Sequence, residues 1–127
     1  MNLNLKIKKI EGRVYINTTP HNVTLRDSQG NDHVVEPCGV LINACPVEES
    51  AGGRDGAEFV RTRFMADEQS AEHLKIMEAL YPGAFIMGSI IAAQAFPGRV
   101  LAMVPAPGFE RVPPDQKRMR ADKFTIF

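Results

Sequence analysis

The chain has little of three features that would narrow its class at once: cysteine, net charge and long apolar runs. Its 127 residues include two cysteines, Cys38 and Cys45, which are too few for a disulfide framework. We expect both to be reduced and buried. The formal net charge is +0, whereas generic binding to long nucleic acid requires a basic surface. We therefore expect no long nucleic acid among its partners.

No stretch approaches the roughly 18 consecutive apolar residues of a membrane helix. The first residues, MNLNLKIKKIEGRVYIN, place lysines among the apolar positions, so they lack the continuous apolar region of a signal peptide. These patterns predict a cytoplasmic protein that does not enter a membrane. The length favours one domain with its own core, and we predict a single domain over residues 1–127.

Recognisable motifs for metal binding and catalysis are also missing. The three histidines are scattered along the chain, and the two cysteines lack the spacing of a zinc knuckle, so no metal site is expected. Residues 52–56 (GGRDG) are glycine-rich but lack the lysine and the strand–loop–helix context of a phosphate-binding loop. The sequence contains no evident set of acid, base and nucleophile. This favours a protein that is not an enzyme and has no cofactor.

Alternation of apolar and polar residues predicts a small antiparallel or mixed sheet. Strands are expected at residues 3–7, 14–16, 40–42, 58–64 and 99–104, and the last four residues are also β-prone. A polar turn at residues 27–32 joins two β-rich runs into a hairpin over residues 23–36. Residues 48–56 are polar and glycine-rich, so we interpret them as an exposed loop. In the strand at residues 58–64, alternation places Arg61 and Arg63 on one face.

The clearest helix is predicted over residues 67–81. Asp67 can cap its first turn, Leu74 and Met77 lie on its apolar side, and the Tyr81-Pro82-Gly83 run ends it. Residues 85–96 are apolar almost throughout; their length suits a strand to Gly88 and then a short helix, although periodicity alone leaves both options open. The predicted fold is therefore α+β, with one clear helix and a possible second.

Residues 96–114 (FPGRVLAMVPAPGFERVPP) are the most informative stretch. They contain five prolines and two glycines, residues that restrict or widen the backbone angles and favour a shaped, stiff loop. Such a loop would hold Phe109 and Arg111 in defined positions, and an aromatic face beside a guanidinium group suits a nucleobase and a phosphate. A prolyl connector whose Phe109 only covers the core remains the alternative.

Three aromatic rings adjoin Pro-Gly turns, in the runs Tyr81-Pro82-Gly83, Phe96-Pro97-Gly98 and Pro107-Gly108-Phe109. These corners could form one concave pocket walled by rings, with Phe85 as a further stacking face. Arginine side chains could then bind phosphate groups; the candidates are Arg26, Arg61, Arg63, Arg99 and Arg111.

The run IIAAQAFPGRVLAMVPAPGFERVPP, together with INTTPHNVTL, resembles the Thoeris anti-defence proteins of phages. This resemblance implies a small α+β domain that forms dimers and hexamers. It also implies binding and sequestration of glycocyclic ADP-ribose without cleavage, and in some members binding of cyclic di- or trinucleotides at separate sites. By position it implies ligand contacts from Phe85, Arg111 and Arg61, a second-site role for Arg26, and Gln94 where a smaller amide is expected.

Two other functions stay open on the sequence. An enzyme that degrades such a nucleotide would need a general acid or base, and His21 and His33 are the candidates that titrate near neutral pH. A structural or partner-binding phage protein would instead use residues 105–114 (PAPGFERVPP) as a docking peptide.

Overall fold

A computed structural model describes residues 3–127 of the chain. The helices are α1 (Glu68–Leu80) and α2 (Ile90–Ala95), with a 3-10 turn at Pro114–Gln116. The strands are β1 (Lys8–Ile10), β2 (Arg13–Asn17), β3 (Val23–Arg26), β4 (Asp32–Val35), β5 (Ala44–Arg54), β6 (Ala57–Ala66), β7 (Phe85–Gly88), β8 (Leu101–Pro105) and β9 (Met119–Thr125). Within this part of the chain, neither helix combines the length and hydropathy needed to cross a membrane.

Seven strands form one mixed sheet in the order β1-β2-β7-β8-β9-β3-β4. The pairs β2–β7, β7–β8 and β3–β9 are parallel, and the others are antiparallel. The segment after β4 returns to the other end of the sheet, where Pro37 bridges Asn17. The Cys38 amide donates to the Asn17 carbonyl at 2.7 Å, and the Lys6 amide donates to the Cys38 carbonyl at 3.1 Å. The sheet therefore curls into a nearly closed barrel, which protects its edges.

The barrel interior is filled by one apolar cluster. Its fully buried side chains include Tyr15, Leu25, Val35 and Met87, from four different strands. The Tyr15 hydroxyl donates to the Ala121 carbonyl at 2.7 Å, so the polar end of this ring is satisfied inside the barrel.

A second core lies between the outer face of β2, β7 and β8 and the helices. Ile16 and Ile86 belong to it, and each alternates along its strand with a residue of the barrel interior. Leu74 and Met77 of α1 pack into the same cluster and are 0% exposed. Cys38 is buried here too, and this burial raises the pKa of its thiol.

The strands β5 and β6 form a separate two-stranded sheet over residues 44–66, which we call the arm. Almost all of its side chains are exposed. Residues of α2 contact both strands. Cys45 lies on β5 and is exposed, so the expectation of two buried thiols is wrong for this residue.

The α+β class is confirmed, and so is the clearest helix. Asp67 caps α1 as expected, because its carboxylate accepts a hydrogen bond from the Ser70 amide at 3.0 Å. The apolar residues 85–96 form a strand followed by a short helix, β7 and α2, as their length suggested. The hairpin predicted over residues 23–36 is β3–β4.

Three local predictions are wrong. Residues 3–7 and 40–42 form no strand, since β1 begins at Lys8 and β5 at Ala44. Residues 48–56 are not a loop: most of them lie in β5, and the hairpin turns at Asp55 and Gly56, whose φ angles are 53° and 82°. Residues 58–64 form a strand as predicted, since they lie in β6. Its partner β5 escaped prediction because both of its faces are exposed, so its residues show no clear alternation of apolar and polar side chains.

Candidate functional site

The outer face of β4, β3 and β9 carries charged side chains. Arg26 of β3 lies in register between Asp32 of β4 and Arg120 of β9. Since Leu25 and Ala121 are buried in the barrel interior, alternation points their neighbours Arg26 and Arg120 outward. The barrel wall thus has an apolar outer half, which meets the helices, and a charged outer half.

The charged half is organised by two carboxylates. Asp32 accepts hydrogen bonds from Arg26 Nε at 2.9 Å and from Arg118 Nε at 3.0 Å, and Asp122 accepts from Arg120 Nε at 2.9 Å. The pKa of Asp32 lies below its ordinary value of 3.8, mainly because of the hydrogen bond from Arg26. The hydrogen bond from Arg118 lowers this pKa as well, with a smaller effect. The pKa of Asp122 is lowered in the same way by Arg120. Both carboxylates therefore remain ionised at neutral pH.

Phe109 lies over this network, held by a tight turn. Its amide donates to the Ala106 carbonyl at 3.0 Å, and the Ala106 amide donates to the Arg118 carbonyl at 2.8 Å. The Phe109 ring centroid is 4.8 Å from Cζ of Arg26 and 5.9 Å from Cζ of Arg118, which is cation–π geometry. We call the set Arg26, Arg118, Arg120 and Phe109 the arginine–Phe109 cluster.

A cavity of about 320 Å³ adjoins this cluster. Its lining includes Arg26 and Arg120, their neighbours Asp27 and Asp122, and the loop residue Pro107. The volume lies within the range of about 300–1,000 Å³ for small-molecule sites. Guanidinium donors next to an aromatic ring can bind a phosphate and stack on a planar ring system.

The turn between β3 and β4 is fixed by a buried carboxylate. Asp27 accepts hydrogen bonds from the amides of Gln29 and Asn31, each at 2.9 Å, and lies 2.9 Å from Nε2 of His33. The His33 hydrogen bond is the largest cause of the lowered pKa of Asp27. The structure thus gives His33, one of the two candidate bases, a carboxylate partner in this turn. His21, the other one, is exposed and lies at the rim of a different cavity.

The structure brings together two of the six predicted ligand-binding residues, Arg26 and Phe109. Phe85 lies in the barrel wall, where its ring stacks on Tyr15 and Phe124 with centroid separations of 5.2 and 5.7 Å. Arg111 is exposed, two residues beyond Phe109 in the chain. Gln94 is exposed on α2.

Arg61 is exposed on β6, in the arm. It lies opposite Glu49 of β5, and Arg63 lies opposite Val47. The expectation that Arg61 and Arg63 share a face agrees with this register, because the two residues are separated by one position on a strand.

The idea of one pocket walled by three aromatic corners is wrong. Phe96 is 3% exposed and lies in the core beneath the helices, and Tyr81 packs against the same core. Phe109 is instead part of the charged outer face of the barrel. Each ring does lie beside its Pro-Gly turn. However, Phe96 and Tyr81 pack in or against the core because burial of their apolar surface is favourable.

Arg118, Arg120 and their aspartate partners were missed by the sequence reasoning. The sequence did contain a signal for them. Arg118, Arg120 and Asp122 occupy every second position within residues 117–123 and would share one face of a strand. Among residues 3–127, no group of three or more potential ligands from histidine, cysteine, aspartate and glutamate is placed to hold a metal ion.

No protein-family model, curated protein or solved structure matches this chain, so arguments about its function rest on the geometry of these residues.

Proposed function

We propose that this protein is a cytoplasmic phage protein that binds and sequesters a small cyclic nucleotide signal without cleaving it. The ligand class is glycocyclic ADP-ribose, with cyclic oligonucleotides as a further possibility at a separate site. The protein acts as a homo-oligomer, a dimer or a hexamer, and needs no cofactor. Such a ligand combines a purine ring with phosphates, and these are the two groups that the proposed site must recognise.

The observation that carries this proposal is the arginine–Phe109 cluster beside its cavity. A ring stacked on guanidinium groups is a rigid platform, because the Phe109 turn and the Arg26–Asp32 pair hold both partners in place. Stacking of a base on an aromatic ring contributes about 1–3 kcal/mol. A nanomolar ligand requires about 12 kcal/mol in total, so several phosphate contacts must be added.

Arg111 and Arg61 can provide such contacts. Both are exposed, and within residues 3–127 neither forms an ion pair, whereas Arg26, Arg118 and Arg120 are each paired with an aspartate. A guanidinium group without a carboxylate partner is free to bind a phosphate in a bidentate manner. Arg111 follows Phe109 closely in the chain. Arg61 is exposed on the arm, and in the proposed oligomer it would contact the ligand of a neighbouring copy.

The proposal is tested by native mass spectrometry of the purified protein with cyclic ADP-ribose isomers and cyclic oligonucleotides, followed by release of the ligand by heat. We expect intact ligand to be recovered from an oligomer. Recovery of a converted product would instead indicate an enzyme. An unchanged mass across the panel would favour the protein that docks a partner through residues 105–114.

Arg111→Ala is expected to weaken binding by about 10- to 150-fold, since a charge-assisted hydrogen bond contributes about 1.5–3 kcal/mol. Phe109→Ala should cause a similar loss by removing the stacking face. Arg99→Ala is the matched control, because Arg99 is already paired with Glu78 at 2.7 Å. Unchanged binding by Arg111→Ala in a folded oligomer would remove this residue from the site.

A further inference from the structure

A larger cavity, of about 490 Å³, opens at the end of the barrel where β3 and β9 begin. Its lining comes from the first residues of these two strands, from β4 and β8, and from the 3-10 turn that precedes β9. The cavity is distinct from the arginine–Phe109 cluster, since none of the four residues of that cluster lines it. Mouths of β-barrels are frequent sites for small ligands.

The floor of this cavity is apolar. Val23, Met103 and Met119 line it, and all three are partly buried side chains that pack against the apolar interior of the barrel. Val34 adds a further apolar wall and is 49% exposed. The interior cluster is thus open to water at this end, and an apolar ligand that covered it would be stabilised by burial. The two methionine side chains are flexible enough to fit ligands of different shape.

The rim of the cavity is polar and carries Lys117, His21 and Asp115. Within residues 3–127, Lys117 takes part in no salt bridge. A free ammonium group at the edge of an apolar cavity can pair with an anionic head group. The Asp115 carboxylate on the same rim disfavours a ligand with several negative charges, such as a polyphosphate.

We propose that this cavity binds a small apolar carboxylate, such as a medium-chain fatty acid, with its apolar part against Met103 and Met119 and its carboxylate at Lys117. This inference does not rest on the proposed nucleotide function, because it concerns different residues and a different ligand chemistry.

Decanoate is a suitable probe, and the methyl NMR signals of the methionines report where it binds. In the full-length protein, titration with decanoate should shift the signals of Met103 and Met119. The signals of Met65 on the arm and Met77 in the helix-side core should stay unchanged, since neither residue lines the cavity. Unshifted Met103 and Met119 signals at millimolar decanoate, or equal shifts of all four, would overturn the site.

Charge recognition is tested separately. Lys117→Met should weaken decanoate binding about tenfold, whereas Lys75→Met on the exposed face of α1 should leave it unchanged. Decanol lacks the charge and should bind wild type and Lys117→Met alike. Equal decanoate affinity in wild type and Lys117→Met would refute the role of Lys117. Nucleotide binding in the presence of decanoate shows whether the two sites are independent.

Discussion

At the residue scale, Asn17 connects a turn to the closure of the barrel. It is 0% exposed, and its side chain donates to the carbonyls of His21 at 2.7 Å and Val35 at 3.1 Å. Its side-chain oxygen accepts from the Thr19 amide and from the Thr19 hydroxyl. A buried amide with all its hydrogen bonds satisfied specifies one arrangement of the chain around it. The Thr18 hydroxyl donates to the Met87 carbonyl at 2.7 Å. The asparagine and both threonines of the INTTPH run are therefore structural residues.

Asp32 makes the stability of the protein depend on pH. Its pKa is lower in the folded protein than the ordinary 3.8, so its contribution to the free energy of unfolding is present above that value. The contribution is lost as the pH falls through the folded pKa. We expect Asp32→Asn to lower the free energy of unfolding at pH 7 by up to about 1 kcal/mol, since the pair is partly exposed.

Urea denaturation from neutral pH to below pH 3.8 checks this expectation. The difference between wild type and Asp32→Asn should shrink as the wild-type carboxylate becomes protonated. Asp55→Asn is the control, because Asp55 lies in the exposed turn of the arm and asparagine tolerates its φ of 53°. A difference that stays constant over this range would exclude the ionised pair as its source.

At the element scale, the junction between β7 and α2 depends on close packing. Gly88 ends β7 and is buried, and the Ser89 hydroxyl then caps α2 by accepting from the Ala92 amide at 3.0 Å. A Cβ atom at position 88 would lie 2.7 Å from Cγ1 of Val100 and 3.1 Å from the Thr18 hydroxyl. Val100 is itself 0% exposed, so it has little room to move.

Gly88→Ala should therefore lower the free energy of unfolding by about 1–3 kcal/mol through overpacking. Val100→Ala removes the methyl group that clashes, so the double variant should be less destabilised than the sum of the two single variants by at least about 0.5 kcal/mol. Chemical denaturation of the four proteins measures this coupling. Simple additivity would show that the contact with Val100 is not the cause.

At the scale of the whole molecule, the arm is the part with the fewest buried side chains to stabilise it. A two-stranded sheet is marginally stable alone, and it exposes two unpaired edges. Large apolar side chains of the arm are 40–48% exposed: Val47, Phe59, Val60 and Met65. Glu49 and Arg63 give it charges of both signs, which can pair with the opposite charges of a second copy across a twofold axis.

We expect wild type to form a dimer or a larger oligomer through the arm. Phe59→Ser and Met65→Ser should each weaken the assembly, because they remove exposed apolar surface that a second copy would cover. Light scattering after size-exclusion chromatography measures the assembly, circular dichroism reports folding, and Arg111→Glu is the control outside the arm. A wild-type monomer at all concentrations would contradict this use of the arm.

Local signals were sufficient for some elements. The two ends of α1 were predictable because capping and chain reversal depend on a few adjacent residues. The helix begins after Asp67 and ends at the Tyr81-Pro82-Gly83 run. In the arm, alternation over residues 58–64 predicted β6. The other strand, β5, could not be predicted in this way, because both of its faces are exposed and its polar, glycine-rich residues lack the period-2 pattern.

The amino-acid sequence by itself determined the α+β class, the first helix, the β3–β4 hairpin and the aromatic and arginine side chains available for binding. These follow from composition and from interactions between near neighbours. Only the tertiary structure decided which of them meet. Parallel pairing of β3 with β9 places Arg26 beside Arg120 and, through the turn at residues 106–109, beneath Phe109. Phe96 is buried in the core instead, because burial of its apolar surface is favourable. These positions are set by contacts between residues far apart in the sequence, so they depend on how the whole chain packs.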